Sequence, residues 1–299
     1  MTRGSAGSLA IAALVFGCAN QVAPRPAAAP TPFAEASAVA PVPPRTPSPP
    51  PRLPEPARAE ADQNAEASAL GATLPLEVPD FSPSLVRLPD LPGKAPVLVV
   101  THGAGGTPDA HCELWARISR GRALLLCIRG RARSQAPADG DYYPDHLTLE
   151  RETFAALNAL RSRFRARIAE GPVYYVGFSQ GATMGALMLL EHASEVPRLA
   201  LVEGGFAEWN APRAKEFRAR GGQRVLFVCG TKQCAKAARS AAAWFNHAGV
   251  AAHLEYVRGA GHSHGGAVET QIAALYPWFV EGDPRFPASD SEISARITK

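Results

Sequence analysis

Six short apolar runs constrain this chain more than any other feature: "PVLVVTH" (96–102), "ALLLCI" (123–128), "VYYVGF" (173–178), "LALVE" (199–203), "RVLFVC" (224–229) and "AHLEYV" (252–257). Most are continuous, with no polar residue at every second position. A strand that is apolar on both sides has both faces covered, which is the condition of parallel strands packed between layers of helices. Helix-like segments at 109–120, 148–169, 180–193, 234–248 and 267–280 supply the layers. In the second of these, Phe154, Leu157, Leu160, Phe164 and Ile168 recur every three or four residues and form one buried stripe. The alternation predicts an α/β fold with a doubly wound, mostly parallel sheet. Right-handed crossovers then bring the carboxyl ends of the strands to one edge, where sites assemble.

The apolar runs begin only at residue 96 of a chain of 299. Residues 1–18, "MTRGSAGSLAIAALVFGC", carry Arg3 and an apolar stretch from Leu9 to Phe16 that is too short to span a bilayer. The stretch resembles a bacterial lipoprotein signal, which implies cleavage before Cys18, lipidation of that residue and an anchor in a membrane of the cell envelope. Residues 19–75 hold half of the chain's 28 prolines, are otherwise mostly Ala and include Phe33 as their one aromatic. Such a segment buries too little apolar surface to offset the ordering of its backbone and reads as an extended linker. A single folded domain is expected over 76–285, with a tail at 286–299.

Cys112, Cys127, Cys229 and Cys234 remain in the domain. An even number in an exported chain favours disulfides, and order along the sequence favours Cys112–Cys127 with Cys229–Cys234, although two other pairings satisfy the same count. The Cys-x4-Cys spacing has no second pair to complete a zinc site. The net charge of +4 lies along segments such as "RSRFRAR" (161–167), where Arg alternates with apolar residues. That pattern reads as a solvated helix face, and no nucleic-acid partner is expected.

The run at 173–178 ends in "GFSQG", and a helix-like segment follows. A Gly-x-Ser-x-Gly between strand and helix resembles the nucleophile elbow of the α/β-hydrolase family, in which a strained serine projects its hydroxyl above the sheet. Gly177 and Gly181 would leave room for the turn. The rival reading makes Ser179 an ordinary helix N-cap. Upstream, "VLVVTHGAGG" (97–106) resembles the oxyanion loop of the same family. The resemblance implies Ser179 as nucleophile, oxyanion N–H donors from Gln180 and Ala104, and a supporting role for His102. In "LEYVRGAGHSHGG" (254–266) the resemblance selects His262 as base, with His264 as the alternative.

The acid departs from the family pattern. "GTKQC" (230–234) places Gln233 where an Asp is usual, and an amide offers no charge to an imidazolium. One strand earlier, "LALVEGGF" (199–206) ends its apolar run in Glu203. Some family members carry the acid there, and the order Ser, acid, His is kept. The alternative leaves Glu203 in solvent or capping the next helix. Only residues 207–223 separate two strands between which the family often inserts a lid, so no large cap domain is expected. "DGDYYPDH" (139–146) offers Tyr142 or Tyr143 either to the site's rim or to the core. The whole implies a serine hydrolase of a small or polymeric carboxylic ester, near the carboxylesterase and dienelactone-hydrolase branches, with no cofactor and no metal. A peptidase on the same residues, or a non-catalytic surface-binding lipoprotein, are the alternatives.

Overall fold

The computed structural model describes residues 70–286. The expected signal segment with Cys18, the linker as far as residue 69 and the tail beyond Phe286 lie outside the described residues. Ten strands occur: β1 (Thr73–Leu76), β2 (Ser84–Arg87), β3 (Val97–Thr101), β4 (Leu124–Cys127), β5 (Arg131–Ala132), β6 (Asp141–Tyr142), β7 (Tyr174–Phe178), β8 (Arg198–Val202), β9 (Arg224–Cys229) and β10 (Ala251–Tyr256). Six α-helices accompany them: α1 (Pro108–Ser119), α2 (His146–Arg163), α3 (Gln180–Met188), α4 (Ala211–Ala219), α5 (Lys232–His247) and α6 (Ala267–Val280).

Eight strands form one sheet in the order β1-β2-β4-β3-β7-β8-β9-β10, and β5 pairs only with β6. Every neighbouring pair from β4 to β10 is parallel, while β1 and β2 add antiparallel. The six expected runs are the parallel strands. The strand period of two divides the five inner ones between two cores, while the edge strand β10 packs on one. Val97 and Val99 face the layer of α2 to α5, whereas Leu98 and Val100 face α1 and α6. A buried Val or Leu contributes about 1.5–3 kcal/mol, so unbroken apolar strands follow from a sheet covered twice.

Several boundaries move. Residues 73–75 of the expected linker belong to β1, and Phe286 of the expected tail packs on Tyr174 and Tyr276. Pro75 fits there because an edge strand tolerates a residue without an N–H. The helix expected over 148–169 ends at Arg163, because Ala95 donates its N–H to Arg167 O and accepts from Ala169 N. Arg167 also leaves the solvated face expected for it: it is buried and donates to the Gly93 and Leu91 carbonyls at 3.0 and 3.1 Å. The third helix stops at Met188, earlier than the 193 expected.

The disulfides are Cys112–Cys127, joining α1 to β4, and Cys229–Cys234, joining the end of β9 to the first turn of α5. Between β8 and β9, α4 is the one helix, so no cap domain lies there among the described residues.

Candidate active site

Parallel register brings distant residues side by side at the carboxyl edge. Gly177 pairs with Leu201, Phe178 with Val202, and Val202 with Val228. Just past these pairs, Ser179 N donates to Val202 O and Glu203 N to Val228 O, so the ladder continues to both residues. Ser179 has φ 51° and ψ −110°, and Glu203 has φ 53°. Both backbones lie in the left-handed region that non-glycine residues enter at a cost of about 1–2 kcal/mol, and they persist because the surroundings over-determine them.

The elbow turns where no side chain fits. A Cβ on Gly181 would stand 2.5 Å from Thr101 Oγ1 and 2.7 Å from His102 O, and one on Gly177 would stand 2.8 Å from Ala182 N. Beneath it, the buried Tyr175 hydroxyl donates to Gly181 O and accepts from Thr101 Oγ1, both at 2.7 Å. Ser179 is the residue before α3, yet its side chain makes no cap hydrogen bond. Its Oγ instead lies 2.8 Å from His262 Nε2.

On the other side of that ring, Nδ1 lies 3.1 Å from Glu203 Oε2. For Nε2 to accept from the serine, the neutral ring must carry its proton on Nδ1 and donate it to the carboxylate. The Glu203 side chain is 2% exposed and that of His262 is 53% exposed. Burying a carboxylate requires compensating donors. Glu203 Oε1 accepts from the N–H groups of Gly230 and Thr231, and Oε2 accepts from Thr231 Oγ1 at 3.0 Å as well as from His262. Glu203 is therefore neither in solvent nor a cap of α4. Gln233 is exposed on the first turn of α5, and Gly230 and Thr231, which open the same segment, serve as donors to Glu203.

His264 does not reach the serine. It stacks on His111 with centroids 4.2 Å apart and lies 4.5 Å from the Phe178 ring. His111 is buried, and burial with the neighbouring His264 and His102 pushes its pKa down to about 3. His264 is lowered too, mainly by burial. This pair is an uncharged aromatic shelf beside Phe178.

The two expected oxyanion donors sit on different elements. Gln180 N opens α3, where no intrahelical acceptor exists for it. Ala104 is exposed in a loop shaped by Gly106 N donating to Gly103 O and Gly105 N to Asp141 O. Neither Gln180 N nor Ala104 N has an acceptor among the described residues. The Gln180 side chain grips Tyr143, accepting from its N–H at 2.9 Å and donating to its carbonyl at 3.1 Å. Tyr143 goes to the core, not the rim: its hydroxyl accepts from His102 N and donates to Ile128 O. The His102 ring lies between the carbonyls of Gly103 and Arg129, each at 2.8 Å, and burial lowers its pKa. His102 is thus a support of the loop.

Sequence reasoning missed the cradle at Gly230 and Thr231 and the clasp between Gln180 and Tyr143. The first had a visible signal, a Thr placed to cap a helix directly after a strand. The second had none, since 37 residues separate its partners.

Residues 96–246 match the family model of the alpha/beta hydrolase fold. The protein TT1662 from Thermus thermophilus superposes with a TM-score of 0.54 at 18% identity, covering 70% of this chain and 98% of that one. The esterase PE8 gives 0.51 at 17% identity, covering 69% and 100%. Est1E from Butyrivibrio proteoclasticus gives 0.51 at 13%, covering 70% and 98%. Identities this low speak for the fold alone. No curated protein matches the sequence. With half of its length matched by the family model, the chain belongs to the alpha/beta hydrolase family.

Proposed function

We propose that this protein is a serine hydrolase of carboxylic esters. The observation that carries the reading is the unbroken chain from Ser179 Oγ to His262 Nε2 and from His262 Nδ1 to Glu203 Oε2. His262 takes the serine proton as Oγ attacks the ester carbonyl. The N–H groups of Gln180 and Ala104 receive the oxyanion, where each donor contributes about 3–4 kcal/mol to the transition state. His262 then protonates the departing alcohol, and the acyl group stays on Ser179. Water, deprotonated by the same imidazole, releases the acid and restores the serine. Glu203 fixes the ring's tautomer and offsets the charge of the imidazolium.

An amide in the usual acid slot would suit a non-catalytic scaffold, and the carboxylate at 3.1 Å from His262 favours the enzyme instead. The half-exposed imidazole and the absence of a cap between β8 and β9 among the described residues suit a bulky or polymeric ester as well as a small one. We place the enzyme at the cell envelope, held by lipid on Cys18.

The test is fluorophosphonate labelling and p-nitrophenyl butyrate turnover of the full-length chain. Ser179→Ala should lose the label and at least ~1000-fold in kcat. Glu203→Gln should retain the fold and lose roughly 100- to 10,000-fold. A folded wild type that neither labels nor turns over would refute the reading.

A further inference from the structure

The acid stands on β8, while the loop that holds it follows β9. Gly230 and Thr231 give Glu203 two backbone N–H groups and one hydroxyl. Thr231 does more than donate. As N-cap of α5 it accepts from Cys234 N at 3.2 Å, so its hydroxyl links the start of that helix to Glu203. Two residues before Thr231 is Cys229 and three after it is Cys234, and the bond between them closes the loop around both donors. The Glu203 carboxylate and the two sulfurs lie within 4.8 Å of one another, all buried. The loop also packs against the segment that carries the base: a Cβ on Gly230 would stand 2.2 Å from Gly261 O, in the residue before His262.

These contacts answer a physical problem. Glu has one more rotatable bond than Asp, and a carboxylate reaching from β8 to the imidazole must be fixed in direction as well as compensated for burial. Loop 229–234 is held at one end by β9, at the other by α5, and across its middle by a covalent bond. Closing a loop this short removes less unfolded-chain entropy than closing the one between Cys112 and Cys127, so its main consequence is local order.

We propose that Thr231 and the Cys229–Cys234 disulfide are positioning elements for the displaced acid, holding the Glu203 carboxylate at His262 in place of an acid on the β9 loop. The inference rests on the hydrolase reading above. It assigns no substrate contact to these residues. They act on kcat through the carboxylate and leave KM alone.

The experiment compares full-length variants by p-nitrophenyl butyrate kinetics, fluorophosphonate labelling rate and thermal unfolding. Thr231→Val should lower kcat roughly 10- to 100-fold, the effect of a misplaced catalytic group, with KM unchanged. Thr231→Ser, which keeps the hydroxyl, should restore kcat. Cys229→Ala with Cys234→Ala should lose kcat to a similar extent. Cys112→Ala with Cys127→Ala should lower Tm while kcat stays near wild type, because that bond ties α1 to β4 and touches no part of the acid's cradle. Wild-type kcat in both Thr231→Val and the Cys229/Cys234 variant would overturn the proposal and leave the hydrolase intact, as would a loss in Thr231→Val that Thr231→Ser does not recover. The Thr231 pair decides the matter even where the cysteine variant fails to fold. A wild type with neither label nor turnover would instead remove the hydrolase reading, and this proposal with it.

Discussion

At the scale of single residues, the site and the core treat carboxylates differently. Glu203 is buried with three donors and an imidazole around it. Glu152 on α2 is buried with one donor, Gly130 N at 2.8 Å, and burial pushes its pKa up to about 7. An unfolded Glu titrates near 4.5. The folded protein therefore holds the proton more tightly, and the stability this contributes below the unfolded value is lost as pH rises through the folded one. Glu152→Gln keeps an acceptor for Gly130 without the charge. The variant should be more stable than wild type by about 3 kcal/mol at pH 8, and by less than ~1 kcal/mol at pH 5. Urea denaturation at the two pH values reads the difference, and an equal effect at both would mean that folding does not raise the Glu152 pKa. The residues of the site were unequally legible. Ser179 announces itself because its neighbours at 177 and 181 are glycines that the turn requires. The Gly-His pattern favours His262 over His264, and only their directions in space separate the residue at the serine from a stacking partner.

Among elements, the elbow and the loop after β3 work as one unit. Gly181 N donates to His102 O, while Gln180 and His102 meet through Tyr143. The two proposed oxyanion donors are thereby referred to a common frame although Ala104 and Gln180 stand 76 positions apart in the sequence. Gly181→Ala drives a methyl group into Thr101 and His102, so β3 and the elbow must part. Activity should fall at least ~100-fold, because displacements near 1 Å at a reacting centre have that effect. Stability should fall by about 1–3 kcal/mol. Kinetics beside thermal unfolding would separate the two, and wild-type turnover in this variant would show that the elbow has slack the packing does not suggest. Element types were largely legible from periodicity. Their ends were less so, since α2 stops where Ala95 captures the backbone at 167 and 169, a contact between segments some 70 residues apart.

For the whole molecule, the sheet brings distant segments to one edge and two disulfides tie its strands to neighbouring helices. Cys112–Cys127 closes a loop with a sequence separation of 15, for which chain entropy gives a stabilisation of about 3 kcal/mol. Reduction or replacement of this pair should therefore appear in Tm and urea midpoint, and an unchanged midpoint would mean that the reduced chain is already held by its packing. The amino-acid sequence by itself determined the α/β architecture, the elbow at Ser179 and the histidine loop. Each of these is specified by residues adjacent in the chain: continuous apolar runs demand two covered faces, and a left-handed turn demands small neighbours. Only the tertiary structure decided that Glu203 rather than a residue near 233 reaches His262, that His262 rather than His264 meets the serine, and that Thr231 supplies the cradle. Those choices depend on the register of parallel strands whose partners lie more than 20 residues apart, and register is fixed by the packing of the whole sheet between its two layers of helices.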